Sequence, residues 1–189
     1  MKVICIGDSI TVGYGVNTEY SWFELLKNSN DNIFINKGIN GDTTFGILSR
    51  YHNDVILNNP TDVLILVGTN DFLLNRSLKN TMENLLLIIN ETLENNMNPI
   101  IGIPMKIETN PASKIWTTNL NYASVNNNLK QYRDFIINLC NEKNIKYIDF
   151  YTIFEEYTNK CTPEELFIDG IHPTELGHKI MFNEVLKYF

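Results

Sequence analysis

A chain of 189 residues, 43% hydrophobic and 20% charged, is long enough for one folded domain and too apolar to be disordered. The net charge of −7 and the scattered lysines and arginines argue against a nucleic acid or an anionic membrane as a partner. We therefore expect one domain over residues 1–189, with no nucleic-acid binding and no stable membrane insertion.

The cysteines and the first residues of the chain indicate the cellular compartment. The three cysteines have none of the paired spacings of zinc sites or redox motifs, and an odd number favours a reducing compartment. A strand-like segment at residues 2–6 leaves no room before it for the apolar core of a signal peptide. We expect a cytoplasmic protein, while an exported protein whose leader had been removed would begin in the same way.

Short apolar runs alternate with longer helical patterns along the chain. The runs predict five strands, at residues 3–6, 33–36, 63–67, 100–103 and 147–150. Helical patterns follow at about residues 21–28, 43–57, 81–96, 121–144 and 174–188. The strands are apolar on both faces where they are best formed, which is typical of a parallel sheet covered by helices. We predict an α/β fold of three layers, doubly wound around a central five-stranded parallel sheet.

Polar segments follow the predicted strands, at the edge where doubly wound sheets bind their ligands. The segments are residues 7–9, 37–42 and 68–71, after the first three strands in turn, and Pro104-Met105 follows the fourth strand. Residues 169–172 precede the last helix, from which a loop can return over the same edge. We therefore expect a functional site at this edge.

Ser9 lies in a Gly-Asp-Ser segment, where a small residue lets the backbone turn and present the hydroxyl. Alone, this segment fits a helix-capping serine at least as well. A nucleophilic serine needs a base, and only His172 has a carboxylate close by in a loop, Asp169, three residues before it. His52 and His178 lie on helical patterns. The alternative for the second segment is an Asp-Gly turn ahead of a helix.

Attack on a carbonyl also needs hydrogen-bond donors for the oxyanion that forms. Gly41 can offer a backbone N–H after the second strand, and Asn70 a side-chain amide after the third. A turn with positive φ explains Gly41 equally well, and a helix cap explains Asn70 equally well.

Four blocks, Gly-Asp-Ser, the glycine after the second strand, Gly-x-Asn-Asp and Asp-x-x-His, together resemble the SGNH hydrolases, also called GDSL-type esterases and lipases. The resemblance runs from the first strand to His172 and implies a small flavodoxin-like domain. It implies that Ser9 is the nucleophile, His172 the general base and acid, and Asp169 its orienting carboxylate. The one visible departure is Ile10, where the family's name has leucine.

The same resemblance implies an oxyanion hole made of the backbone N–H groups of Ser9 and Gly41 and the side chain of Asn70. The compact size and the last block are most similar to the bacterial lysophospholipase and thioesterase branch. Apolar residues beside the blocks fit a groove for an acyl chain and, equally well, packing in the core or the loops; they are Phe72-Leu73-Leu74, Ile107, Ile115-Trp116 and Ile171.

The resemblance implies a serine esterase that needs no metal and no cofactor and acts on a small-molecule carboxylic ester or thioester. A carbohydrate O-deacetylase with the same three residues is the main alternative. A non-catalytic flavodoxin-like binding module is the alternative of another class. The oligomeric state stays open.

Motifs for other chemistries are incomplete. The Gly13-Tyr14-Gly15 segment hints at a dinucleotide-binding loop but lacks the third glycine of that motif. The Gly-x-Ser-x-Gly elbow of the larger α/β-hydrolases is missing, and no histidine pair has the spacing of a metal site.

Overall fold

The computed structural model describes all residues, 1–189, and contains one sheet of five parallel strands in the order β2-β1-β3-β4-β5. The strands are β1 (Lys2–Gly7), β2 (Ile33–Gly38), β3 (Asp62–Leu66), β4 (Asn98–Ile103) and β5 (Lys146–Asp149). The predicted α/β class and five-stranded parallel sheet are confirmed, and each strand begins and ends within about two residues of its predicted bounds.

The strands are connected by helices. They are α1 (Ser9–Val12), α2 (Trp22–Lys27), α3 (Thr44–Asp54), α4 (Thr69–Leu73), α5 (Leu78–Glu94), α6 (Thr109–Ile115), α7 (Tyr122–Lys143), α8 (Phe150–Tyr157), α9 (Pro163–Leu166) and α10 (Glu175–Val185). The predicted helices correspond to α2, α3, α5, α7 and α10. The other five, which have at most 8 residues each, were not predicted.

Side-chain caps fix where the helices next to the polar segments begin. The hydroxyl of Thr43 accepts the N–H of Gly46 at the start of α3 (3.1 Å), and that of Thr174 accepts the N–H of Gly177 at the start of α10 (3.2 Å). These caps end the loops that follow Gly41 and His172, and so limit how far each loop extends.

The sheet separates two apolar cores, because successive strand residues point to opposite faces. Ile4 and Ile6 of β1 lie in the core that α3, α5 and α7 cover. Val3 and Cys5 lie in the other core, which α2, α8 and α10 cover. None of the helices is both long and apolar enough to span a membrane.

The strand register brings the polar segments to one edge of the sheet. Gly7, the last residue of β1, pairs with Gly38 on one side and Leu66 on the other. The chain leaves β1 for β2 on one side and later returns to β3 on the other, so the topological switch point lies where β1 ends. Ser9 follows β1 at this point.

Candidate active site

The structure brings Ser9, His172 and Asp169 into one hydrogen-bonded row, although Ser9 and His172 are 163 positions apart in sequence. The Oγ atom of Ser9 lies 2.9 Å from Nε2 of His172, and Nδ1 of His172 lies 2.7 Å from Oδ2 of Asp169. All three side chains are buried. Asp8 fixes the start of α1, because its Oδ1 accepts the N–H of Ile10 at 2.9 Å.

The loop of Asp169 is built around its carboxylate. The Oδ1 atom accepts the N–H groups of Ile171 (2.9 Å) and His172 (2.8 Å), while Oδ2 faces the imidazole. Burial raises the pKa of Asp169, but these hydrogen bonds outweigh burial and hold the pKa below its usual value. Gly170 has a φ of +86°, and a Cβ there would lie 2.4 Å from the carbonyl oxygen of Glu108. Only glycine fits this turn.

The order of the three side chains indicates which atoms of Ser9, His172 and Asp169 carry protons. An ionised Asp169 accepts the Nδ1–H of a neutral His172, which leaves Nε2 free to accept the hydroxyl proton of Ser9. This tautomer follows from the hydrogen-bond partners. Such a row can convert a hydroxyl into a nucleophile at neutral pH.

Backbone N–H groups without a partner in the protein follow β1 and β2. Ser9 is the first residue of α1, where backbone N–H groups have no partner within the helix. Gly41 is exposed, has a φ of +77°, and its N–H donates to no group of the protein. A Cβ built on Gly41 would meet nothing within 4 Å, so the residue borders open space.

The amide of Asn70 is held between the other two loops. Its Nδ2 donates to the carbonyl oxygen of Asp42 (2.9 Å) and to Oδ2 of Asp8 (3.3 Å). The bond to Asp8 is the longer of the two. Burial raises the pKa of Asp8 to about 7, against the lowering effects of the Ile10 N–H and of His172.

The side chain of Arg50 forms charged hydrogen bonds with the loop that carries Gly41. Arg50 of α3 approaches Oδ2 of Asp42 to 2.7 Å and Oδ2 of Asp54 to 2.7 Å, and it donates to the carbonyl oxygen of Gly7 (3.3 Å). Arg50 thus joins the ends of β1 and β2 to α3.

Asp71, in the first turn of α4, is hydrogen-bonded to the start of α3. Its carboxylate accepts the N–H of Thr44 (2.9 Å) and the hydroxyl of Thr44 (2.7 Å). Burial raises the pKa of Asp71, against the lowering effect of these hydrogen bonds. The first turn of α4 is therefore tied to the first turn of α3.

A cavity of about 200 Å³ lies next to the row. Its lining residues are Asn70, Leu73, Trp116, Thr117, Leu120, Tyr122, Ile171 and His172. Ile171 therefore lies where a substrate-binding residue is expected. Phe72 does not: it is only 2% exposed and packs in the core, with its ring centroid 5.6 Å from that of Tyr132. Leu73 faces the cavity instead, because each helical residue turns by about 100° from the last.

Several residues of the site carry no clear signal in the sequence. Thr117, Leu120 and Tyr122 come from the segment around the start of α7, far in sequence from the four blocks. Arg50 lies four residues before Asp54 on α3, a spacing that indicates a surface ion pair but does not indicate its bond to Asp42.

The parallel sheet, with a serine, a histidine and an aspartate in one row at its carboxyl edge, defines a serine hydrolase of the α/β class. The model of the GDSL-like lipase/acylhydrolase family matches residues 5–180. The chain therefore belongs to this family, and it is an ester-cleaving hydrolase.

Individual relatives agree with the family. An acetylxylan esterase of Geobacillus stearothermophilus is 26% identical over 163 residues, which cover 81% of this chain and 70% of that protein. An arylesterase of Vibrio mimicus is 29% identical over 181 residues, which cover 91% of this chain and 80% of that protein. A solved structure from the lipolytic G-D-S-L family of Veillonella parvula is 30% identical, with a TM-score of 0.78 over 100% of this chain and 98% of that one.

Proposed function

We propose that Ser9 is the nucleophile of an esterase that cleaves small-molecule carboxylic esters through an acyl-serine intermediate. The observation that carries the proposal is the distance of 2.9 Å between Oγ of Ser9 and Nε2 of His172, with Asp169 on the far side of the imidazole. The domain that performs this reaction is proposed to comprise residues 1–189.

In the first half of the reaction, Oγ of Ser9 bonds to the carbonyl carbon while Nε2 of His172 takes the hydroxyl proton. The carbonyl oxygen becomes an oxyanion, which accepts hydrogen bonds from the N–H groups of Ser9 and Gly41 and from the amide of Asn70. The intermediate then collapses, the bond to the alkoxy oxygen breaks, and His172 returns its proton to the departing alcohol. Asp169 stabilises the imidazolium that exists between these two proton transfers.

In the second half, a water molecule takes the place of the alcohol. His172 accepts a proton from the water as the water oxygen bonds to the acyl carbon. The bond between the acyl carbon and Oγ of Ser9 then breaks. The proton returns from His172 to Ser9, and the carboxylic acid leaves. These residues account for every bond made and broken, so the proposed reaction needs no cofactor.

The size of the cavity supports a short acyl group. Its volume of about 200 Å³ is below the roughly 300–1,000 Å³ of sites for drug-sized ligands. An acetyl or another short acyl group fills this space, whereas the long chain of a lysophospholipid would extend out of it. Thioesters of short acids react by the same steps and belong to the proposed range.

A carbohydrate O-deacetylase is the second candidate function. It is favoured by the similarity to a protein named acetylxylan esterase, over 81% of this chain. The two candidates share the acyl half of the substrate and differ in the alcohol.

For the cellular compartment, we propose a cytoplasmic protein, which the three free cysteines support.

The experiment combines a covalent probe with a series of esters. A fluorophosphonate should label the protein once, at Ser9, and Ser9→Ala should abolish both labelling and hydrolysis. Ser49→Ala is the matched control, because Ser49 is exposed on α3 and should not be needed for either. Rates on p-nitrophenyl esters from acetate to palmitate should be highest for the shortest acids. A folded protein that is neither labelled nor active would favour the non-catalytic binding module.

A further inference from the structure

The Gly13-Tyr14-Gly15 segment, which is incomplete as a nucleotide-binding motif, forms a tight turn directly after α1. Gly13 has a φ of +86° and Gly15 a φ of +91°. A Cβ on Gly13 would lie 2.5 Å from Cβ of Ser21, and one on Gly15 would lie 2.5 Å from Cδ1 of Ile168. Neither position accepts a side chain, so the path of the turn depends on both glycines.

This turn is anchored to the residue that is the proposed nucleophile. The N–H groups of Gly13 and Tyr14 both donate to the carbonyl oxygen of Ser9, at 3.1 and 3.0 Å. The position of the Tyr14 ring is therefore set by the same short stretch of backbone that sets the position of the Ser9 hydroxyl.

The Tyr14 ring lies against the imidazole of His172. The ring centroids are 4.6 Å apart and the planes are inclined by 52°. The side chain is nevertheless open to solvent, since 43% of Tyr14 is exposed, and its hydroxyl makes no hydrogen bond within the protein. An aromatic ring held in one place yet left uncovered beside a catalytic cleft is a surface available to a ligand.

The reaction determines which part of a substrate meets this ring. His172 returns its proton to the alkoxy oxygen, so that oxygen must lie next to Nε2 when the alcohol departs. The ester has two arms, and a short acyl arm fits the cavity of about 200 Å³ that Asn70 and His172 help to line. Tyr14 does not line that cavity and contacts the imidazole from an open surface. With the acyl arm in the cavity, the alcohol is the arm that lies next to Tyr14.

We propose that Tyr14 is a specificity residue that stacks on a ring in the alcohol portion of the substrate, either an aryl ring or the apolar face of a sugar ring. This inference rests on the proposed function, since it needs Ser9 and His172 to act as described there. It predicts a preference for esters of cyclic alcohols over esters of linear alcohols with the same acyl group. A ring presents a rigid apolar face that packs on an aromatic ring over a larger area than a flexible chain does, and it loses less conformational freedom.

The test compares cyclohexyl acetate with hexyl acetate. The two share the acyl group and the number of alcohol carbons. They differ in the ring and in the secondary carbon next to the ester oxygen, and the second difference is the same for every variant, so the change in the ratio between variants reports on Tyr14. Tyr14→Ala should lower the ratio of kcat/KM for the cyclic over the linear ester by about 3–10-fold, the range of one aromatic contact. Tyr14→Phe should keep the ratio, since the hydroxyl has no partner, and Tyr14→Leu, which is apolar but not flat, should lose it as Ala does.

Tyr20→Ala is the matched control. Tyr20 is 42% exposed, close to the value for Tyr14, but it lines a surface groove with Leu176 and Phe182 and does not contact His172. This variant should leave the ratio and both rates unchanged.

Three results would overturn the inference, and they differ from one another. An unchanged ratio in Tyr14→Ala would show that the ring does not select the alcohol. An equal loss on both esters, together with slower fluorophosphonate labelling of Ser9, would make Tyr14 a positioning residue for His172 only. A wild-type protein that hydrolyses neither ester and is not labelled would remove the proposed function itself.

Discussion

The amide nitrogen of Asn70 lies 2.9 Å from the backbone carbonyl oxygen of Asp42, so the first turn of α4, which follows β3, is bonded directly to the loop after β2. Gly41 directly precedes Asp42. The two proposed oxyanion donors that do not belong to Ser9 are thus kept in register by a bond between their own loops. This arrangement is preorganised, which is what makes such donors effective when charge develops in the transition state.

Replacing Asn70 with Ala should lower kcat by about 10²–10³, the usual effect of removing one oxyanion donor. KM should change much less, because the oxyanion forms only after binding. Steady-state kinetics with p-nitrophenyl acetate measure both constants. Asn80→Ala is the control, since Asn80 is an exposed asparagine at the start of α5. An unaltered kcat in Asn70→Ala would remove Asn70 from the oxyanion hole.

Arg50 offers a test of the support behind these donors. Its side chain is only 16% exposed, and Arg50→Met would leave the carboxylates of Asp42 and Asp54 without their closest cation. We expect the free energy of unfolding to fall by about 1–3 kcal/mol, as for partly buried groups left without a charged partner. We also expect kcat to fall by about an order of magnitude, because Asp42 anchors the amide of Asn70.

The control for Arg50 is Arg133, which makes a comparable ion pair with Asp149 between α7 and the end of β5. Arg133→Met should lower stability by a similar amount in urea unfolding and leave kcat unchanged. Loss of stability without loss of kcat in Arg50→Met would show that the ion pair supports the fold alone.

The sequence was sufficient to predict the sheet and the family because both depend on patterns that are local in the chain. The five strands are short aliphatic runs, and the four blocks follow them at the edge where the register aligns Gly7, Gly38 and Leu66. The order of blocks carried the family resemblance, which the match over residues 5–180 confirms. The meeting of Ser9 with His172 was an expectation that only coordinates could place at 2.9 Å.

The sequence was not sufficient to predict which side chains of a short helix face the cavity, or which charged groups are buried. Phe72 and Leu73 are adjacent and both apolar, and nothing in the sequence shows which of them faces the cavity from a helix of 5 residues. Trp116 was among the residues expected to line a groove, and it does line the cavity, but the position of Tyr14 against His172 was not predicted, since Tyr14 belongs to a loop whose path depends on tertiary contacts. The high pKa of Asp8 likewise follows from burial.

Asp8 should make stability depend on pH in a direction unusual for an aspartate. Burial raises the pKa of Asp8 from 3.8 to about 7 in the folded protein, so the folded state keeps a proton that the unfolded state has lost. The Asp8 contribution is therefore full below pH 3.8 and is lost as the pH rises through 7. Between pH 5 and 8 this loss amounts to about 2–3 kcal/mol.

Asp8→Asn should remove that loss, because an amide does not titrate and still offers an oxygen to the N–H of Ile10. The free energy of unfolding of the variant, minus that of the wild type, should increase from pH 5 to pH 8. Urea unfolding at several pH values gives this difference directly. A difference that is constant with pH would mean that Asp8 has the same pKa in the folded and unfolded chains.

His178 of α10 should have the opposite effect in the acid range. Burial lowers its pKa from 6.5 to about 4, with a smaller contribution from His172. Nδ1 accepts the N–H of Trp22 at 3.4 Å, and the buried Nε2 has no partner. Below pH 6.5 the unfolded chain binds a proton at His178 that the folded protein does not bind. The contribution of His178 to the free energy of unfolding is therefore full above pH 6.5 and is lost as the pH falls to 4.

His178→Gln should therefore reduce acid destabilisation, since glutamine cannot be protonated in this range and its amide oxygen can accept the N–H of Trp22. From pH 7 down to pH 4.5, the free energy of unfolding of the variant should rise relative to the wild type by about 2 kcal/mol. His52→Gln, on the exposed face of α3, is the control and should show no such gain. If both variants followed the wild type at every pH, His178 would be protonated equally in the folded and unfolded states, and its burial could not be what limits stability in acid.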